Sequence, residues 1–149
     1  MAEKPANVKS AFLDDIHFLR DNSPAMHLPQ IIFHTTHPAH VDQFIPFARR
    51  TNNPDIIEVN SAGEGITTED IRQLLYSVHE QPFFESHKIY ILYQAESMNS
   101  VVQNALLKML EEPRAHIQCI LVTSTPSQLL PTIRSRCILI RDELQEDAS

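Results

Sequence analysis

Residues 88–123 read KIYILYQAESMNSVVQNALLKMLEEPRAHIQCILVT, and their pattern decides the fold. The run opens on KIYILY, β-rich and apolar on both faces over 88–93. It closes on the almost wholly apolar stretch 117–123. Between them Met98, Val101, Val102, Ala105, Leu106, Met109 and Leu110 recur at helical spacing, so a helix over 97–112 lays one stripe on the strands and stops at Pro113. Strand, helix and strand in this order make a right-handed βαβ unit. Strands apolar on both faces belong to a parallel sheet covered on both sides.

The same alternation extends in both directions. Phe12, Leu13, Ile16 and Leu19 set a helix over 10–20. A strand follows over 30–34. A helix over 38–50 starts at Pro38, with a kink at Pro46. The stretch 55–60 reads as a strand. Thr67 or Thr68 caps the next helix, and Thr67-Thr68-Glu69-Asp70 resembles a capping box leading into Ile71, Leu74, Leu75 and Val78. A short helix over 127–135, interrupted by Pro131, leads to a last strand over 137–141, and residues 142–149 form a solvated acidic tail. The pattern predicts a three-layer α/β/α sandwich with a mainly parallel sheet of about five strands.

Composition narrows the function. With 149 residues the chain is one domain, and 42% apolar against 21% charged residues makes it soluble and globular. Its net charge of −7 disfavours gripping nucleic acid with the whole surface. The two glycines, Gly63 and Gly65, cannot write a phosphate-binding P-loop or a dinucleotide fingerprint. Cys119 and Cys137 lie in apolar stretches and read as buried, reduced thiols. No signal peptide or spanning segment is evident, so a cytoplasmic location is expected.

Two motifs carry a family resemblance. Asn104-Ala-Leu-Leu-Lys-Met-Leu-Glu-Glu-Pro113 resembles the signature of bacterial clamp-loader subunits, and residues 121–137, LVTSTPSQLLPTIRSRC, resemble their sensor-1 strand and SRC motif. The resemblance reaches back through Ile71-Arg72 and covers roughly residues 28–141. It is nearest to the delta-prime type of the DNA polymerase III clamp loader. It implies a P-loop NTPase-like (AAA+) topology, with one RecA-like domain over 1–141 and the family's lid and collar domains absent. It also implies a non-catalytic role in DNA replication, beside ATP-binding gamma/tau-type subunits and the delta subunit. The sliding clamp and primer-template DNA would be met only through the assembly.

The departures from the family pattern are chemical. Where a phosphate loop would follow the first strand, His34-Thr-Thr-His37-Pro-Ala-His40-Val41 stands instead, with His40 and Val41 at the positions of the P-loop lysine and threonine. No lysine reaches a phosphate and no hydroxyl holds magnesium there. Tyr93 and Gln94 replace the acidic pair that should end the third strand, and Glu96 fits only with a shifted register. The zinc-binding cysteines of many relatives are missing too, the chain passing directly through residues 50–55. Neither a nucleotide nor another cofactor is therefore expected, nor an ATPase activity. The resemblance implies that Arg136, in Ser135-Arg136-Cys137, is an arginine finger presented in trans to a neighbour's ATP. A permanent charge and a planar fork suit it to phosphate oxygens. Arg134 is the adjacent alternative. Thr123 and Ser124 stand at the sensor-1 position; without a phosphate cradle they read as strand-end hydroxyls serving local backbone groups.

Other readings compete. His34, His37 and His40 recur every three residues, with His27 and Asp42 nearby, and imidazoles are common zinc ligands. A metal-dependent enzyme could be built on them, but an α-helix starting at Pro38 would rotate such ligands apart, so no metal is expected. The helix start could instead bind an anion weakly. A free-standing degenerate AAA+ adaptor or inhibitor domain is a further alternative. Glu111-Glu112-Pro113 reads as a solvated helix end and turn, where the carboxylates could pair with Lys108 or Arg114 or serve as a contact feature. Lys108, Arg114, Arg134, Arg136 and Arg141 bias residues 104–141 toward positive charge, which suits DNA contact within an assembly and an acidic partner equally.

Overall fold

The computed structural model describes residues 28–45, 50–112 and 114–143. The helix expected over 10–20, His27, the kink at Pro46, the stop at Pro113 and the tail beyond residue 143 lie outside them. Five strands form one all-parallel sheet: β1 (Ile31–His34), β2 (Ile56–Val59), β3 (Lys88–Leu92), β4 (Ile117–Thr123) and β5 (Ile138–Arg141). Their order across the sheet is β2-β3-β4-β1-β5. Three α-helices are described: α1 (Thr68–Ser77), α2 (Ser100–Glu111) and α3 (Pro131–Arg134).

The period of two along each strand divides the core. Ile32, Tyr90, Leu92, Cys119 and Leu121 face one side. There they meet Ile71 and Leu74 of α1, Val102, Leu106 and Leu110 of α2, and Ile133 of α3. Ile31, Phe33, Ile89, Ile91, Ile120 and Val122 face the other, against Val41, Phe44 and Ile45. A fully buried Phe33 meets Phe44 edge to face, with centroids 4.9 Å apart. The apolar runs of β3 and β4 are therefore fully used: every residue of both strands is buried.

Local chemistry fixes the helix ends. Thr67 caps α1 by accepting from the Asp70 N–H, while Asp70 accepts from the Thr67 N–H, a complete capping box. The helix expected over 97–112 begins later. A short 3₁₀ turn (Ala95–Ser97) comes first, Met98 is extended, and Asn99 caps α2 by accepting from the Val102 N–H. Pro131 does not interrupt a helix but starts one, at a position where its missing N–H costs nothing. Of the helix expected over 38–50, the first turns, Pro38–Gln43, are 3₁₀ instead of α-helical, while Arg50 is α-helical. Cys119 is fully buried, whereas Cys137 is only half-buried; both are free thiols.

A buried carboxylate organises the far end of the sheet. Asp55, fully buried, accepts from the N–H groups of Phe83, Phe84 and Glu85 at 2.6–2.7 Å. That grip holds the loop while Phe83 and Phe84 face solvent, as does Tyr76 of α1. No helix among the described residues is long and apolar enough to cross a membrane.

Candidate functional site

The ends of β1, β3 and β4 share one edge of the sheet, where a nucleotide-binding fold would hold phosphates. The turn after β1 is built of side chains. The register pairs His34 with Arg141, and the Asp142 N–H donates to the His34 carbonyl at 2.9 Å. Asp142 is thereby carried inward. Its carboxylate is fully buried, accepting from Thr35 Oγ1, from His40 Nδ1 at 2.7 Å and from Gln43 Nε2 at 3.1 Å. This corrects the expected solvated tail at its first residue. The cause is tertiary, because strand pairing places Asp142 over the β1 turn. His37 and His40 stack with centroids 4.9 Å apart and ring planes 17° apart. His34 does not join them, and Val41, at the position of a P-loop threonine, is buried in the core.

At the end of β3, the Tyr93 hydroxyl donates to Glu58 at 2.8 Å and accepts from Arg50. Arg50 also pairs with Asp42 and with Glu58, the latter at 2.6 Å. Burial and the bond to Glu58 push the Tyr93 phenol up, and Arg50 holds Glu58 below the usual carboxylate range. Arg50, Glu58 and Tyr93 line a cleft of about 370 Å³ together with Asn60, Gly63 and Gln94. Its one guanidinium is already committed to two carboxylates, so the cleft offers a phosphate no free cation among these residues. Gln94 has a left-handed backbone, φ 51°, and is exposed.

Thr123, at the end of β4, is buried and donates to Glu96 at 2.6 Å, while accepting from the Thr125 N–H at 3.0 Å. The expected service to local backbone is present, but Glu96 is an additional partner. The 3₁₀ turn after β3 carries it there. Ser124 is exposed.

Arg136 lies at the opposite edge, where β5 begins. Its Nη1 donates to the Thr132 carbonyl at 3.1 Å and its Nη2 stands 3.2 Å from Glu111 Oε2. Glu111, at the helix end that reads as solvated in the sequence, thus has a partner in the SRC motif. The side chain of Arg136 keeps 38% of its exposure. Ser135 is exposed and donates to the same Thr132 carbonyl, and Arg134 Nε is turned back to the Leu129 carbonyl at 3.1 Å. Of the SRC residues only Cys137 points inward, against the core on the α1–α2 face.

Strand order, the all-parallel sheet and helix placement define a P-loop NTPase-like three-layer α/β/α fold. A solved gamma subunit-related protein of DNA polymerase III from Thermotoga maritima superposes with a TM-score of 0.72 at 26% identity, over 88% of this chain and 45% of that one. Residues 13–145 match the family described as DNA polymerase III, delta subunit, and the chain belongs to that family. The delta-prime subunit of Pseudomonas aeruginosa is 39% identical over 88 residues, 58% of this chain and 27% of the relative. That of Bacillus subtilis is 40% identical over 87 residues, 58% of this chain and 26% of the relative. The chain thus spans about a quarter of the length of these two relatives.

Proposed function

We propose that the chain serves as a delta-prime-like subunit of a cytoplasmic DNA polymerase III clamp loader. It would contribute a rigid face and the Arg136 guanidinium to a neighbour's ATP, and hydrolyse no ATP itself. The observation that carries this reading is the position of Arg136. It is exposed, charged at every physiological pH, and set on the short helix–strand junction of Ser135-Arg136-Cys137, away from this chain's own altered phosphate edge. Its ion pair with Glu111 is solvent-exposed and costs little to break, so the side chain can exchange Glu111 for phosphate oxygens. Family membership and the delta-prime relatives support the replication setting. The partners of this reading are gamma/tau-type ATPase subunits and the delta subunit.

The test has two stages. The tagged chain is first used to capture its partners from native extract, where ATP-binding clamp-loader subunits should be recovered. Arg136→Ala is then compared with wild type in that complex. An arginine finger contributes on the order of 10³-fold or more to phosphoryl transfer, so the neighbour's hydrolysis should fall by at least about tenfold. An unchanged rate in a complex of unchanged composition removes the finger role.

A further inference from the structure

We propose that the turn after β1, which in nucleotide-binding relatives of this fold cradles an anion, here binds a divalent transition-metal cation of the zinc type on His37, His40 and Asp142. Spacing alone argued against such a site, because an α-helix rotates residues three apart away from one another. The structure removes that objection. Pro38–Gln43 is a 3₁₀ helix, and its first turn is closed by the His40 N–H donating to the His37 carbonyl at 2.9 Å. Across that tight turn the two imidazoles are stacked, 4.9 Å between centroids. Asp142 supplies the third donor from beyond β5, and the three ligand atoms lie within 4.8 Å of one another.

The donor set has the right chemistry. Two imidazole nitrogens and one carboxylate oxygen suit zinc and similar borderline ions, and three protein ligands leave a fourth position for water. Tetrahedral zinc with bonds of about 2.0–2.2 Å needs ligand atoms about 3.4 Å apart. His40 and Asp142 are already closer than that, and the exposed His37 ring closes the remaining distance by turning about its own side-chain bonds. The ion would replace the proton now shared by His40 Nδ1 and Asp142. The carboxylate is oriented in advance by Thr35 and by Gln43, an outer shell of the kind that fixes metal ligands. Because Asp142 lies 102 residues beyond His40, the ion would clip the end of β5 to the β1 turn. The site does not depend on the clamp-loader reading, and no catalysis is assigned to it.

The experiment uses the full chain without a histidine tag, stripped with a chelator and titrated with Zn²⁺ by calorimetry and with Co²⁺ by visible absorption. One ion per chain, a tetrahedral cobalt spectrum and a raised Tm are expected. His37→Ala is the decisive variant, since the ring is exposed and its loss leaves the Asp142 network in place; affinity should fall at least about tenfold. His79→Ala, an exposed imidazole elsewhere, should change nothing. Asp142→Asn, if folded by circular dichroism, should also lose the ion. Absence of one-to-one binding, or binding that survives His37→Ala, overturns the proposal.

Discussion

Arg136 Nη2 lies 3.2 Å from Glu111 Oε2, joining the arginine of the SRC motif to the last residue of α2. The two motifs are thus physically coupled at one edge of the sheet. Glu111 places a negative charge at a helix C-terminus, where the helix dipole disfavours it. The guanidinium offsets that cost, and Glu111 in turn holds Arg136 against its own chain.

Glu111→Ala should therefore release Arg136 without harming the fold. An exposed pair contributes roughly 0.2–1 kcal/mol, and loss of the unfavourable dipole interaction cancels part of it. Urea unfolding should show a change of no more than about 0.5 kcal/mol. Arg136→Ala should be equally mild. A large destabilisation by either would mark the pair as structural and undermine its use as an exchangeable contact.

Asp55→Ala should be severe. Its carboxylate accepts three backbone N–H groups while fully buried, and charge-assisted bonds are worth about 1.5–3 kcal/mol each before losses are shared. A cost of roughly 3 kcal/mol or more is expected from urea unfolding. Hydrogen exchange should show the Phe83, Phe84 and Glu85 amides losing protection first. Protection that survives would mean that the loop is held by its other contacts.

Much of this architecture was legible because it rests on short-range pattern. The apolar run 117–123 became β4 to the residue, and Thr67 with Asp70 formed the expected capping box. What stayed hidden depends on distance in sequence. The Glu111 partner lies in another motif, and Asp142 looked like the start of a polar tail until the β1–β5 register carried it inward. Pro38 is compatible with the first turn of either helix type, so the stacking of His37 on His40 could not be read from spacing. Tyr93 and Gln94 are visible in the sequence as replacements for an acidic pair. The Arg50–Glu58–Tyr93 network is not, because its members come from different elements.

Cys137 gives a pH prediction. Burial pushes its thiol from 9.0 up to about 12 and pushes that of Cys119 up as well. The folded chain thus keeps a proton that the unfolded chain releases. This contribution to stability is complete below pH 9 and is lost as pH rises toward about 12. Near pH 8 both thiols should resist iodoacetamide in the native chain and react readily in denaturant, as followed by intact mass. Rapid native alkylation of Cys137 would show that it is more accessible than its half-buried position implies.

Mg-ATP should not bind this domain, and repairing one position should not change that. A triphosphate entering the cleft at the end of β3 would meet Glu58, with Arg50 already paired to Glu58 and to Asp42. The turn after β1 presents His37 and His40 instead of a glycine-rich row of amides, and Val41 is packed in the core where a hydroxyl would be needed. Tyr93→Asp would restore a carboxylate at the strand end but add a third negative charge beside Arg50. It would also remove the hydroxyl bonded to Glu58. Calorimetry with Mg-ATP should therefore detect no binding to wild type or to Tyr93→Asp. The variant should be less stable by about 1 kcal/mol or more, from the lost hydrogen bond and the added repulsion. Saturable ATP binding by the wild-type domain would overturn the non-catalytic reading, because this network would then have to open to admit phosphate.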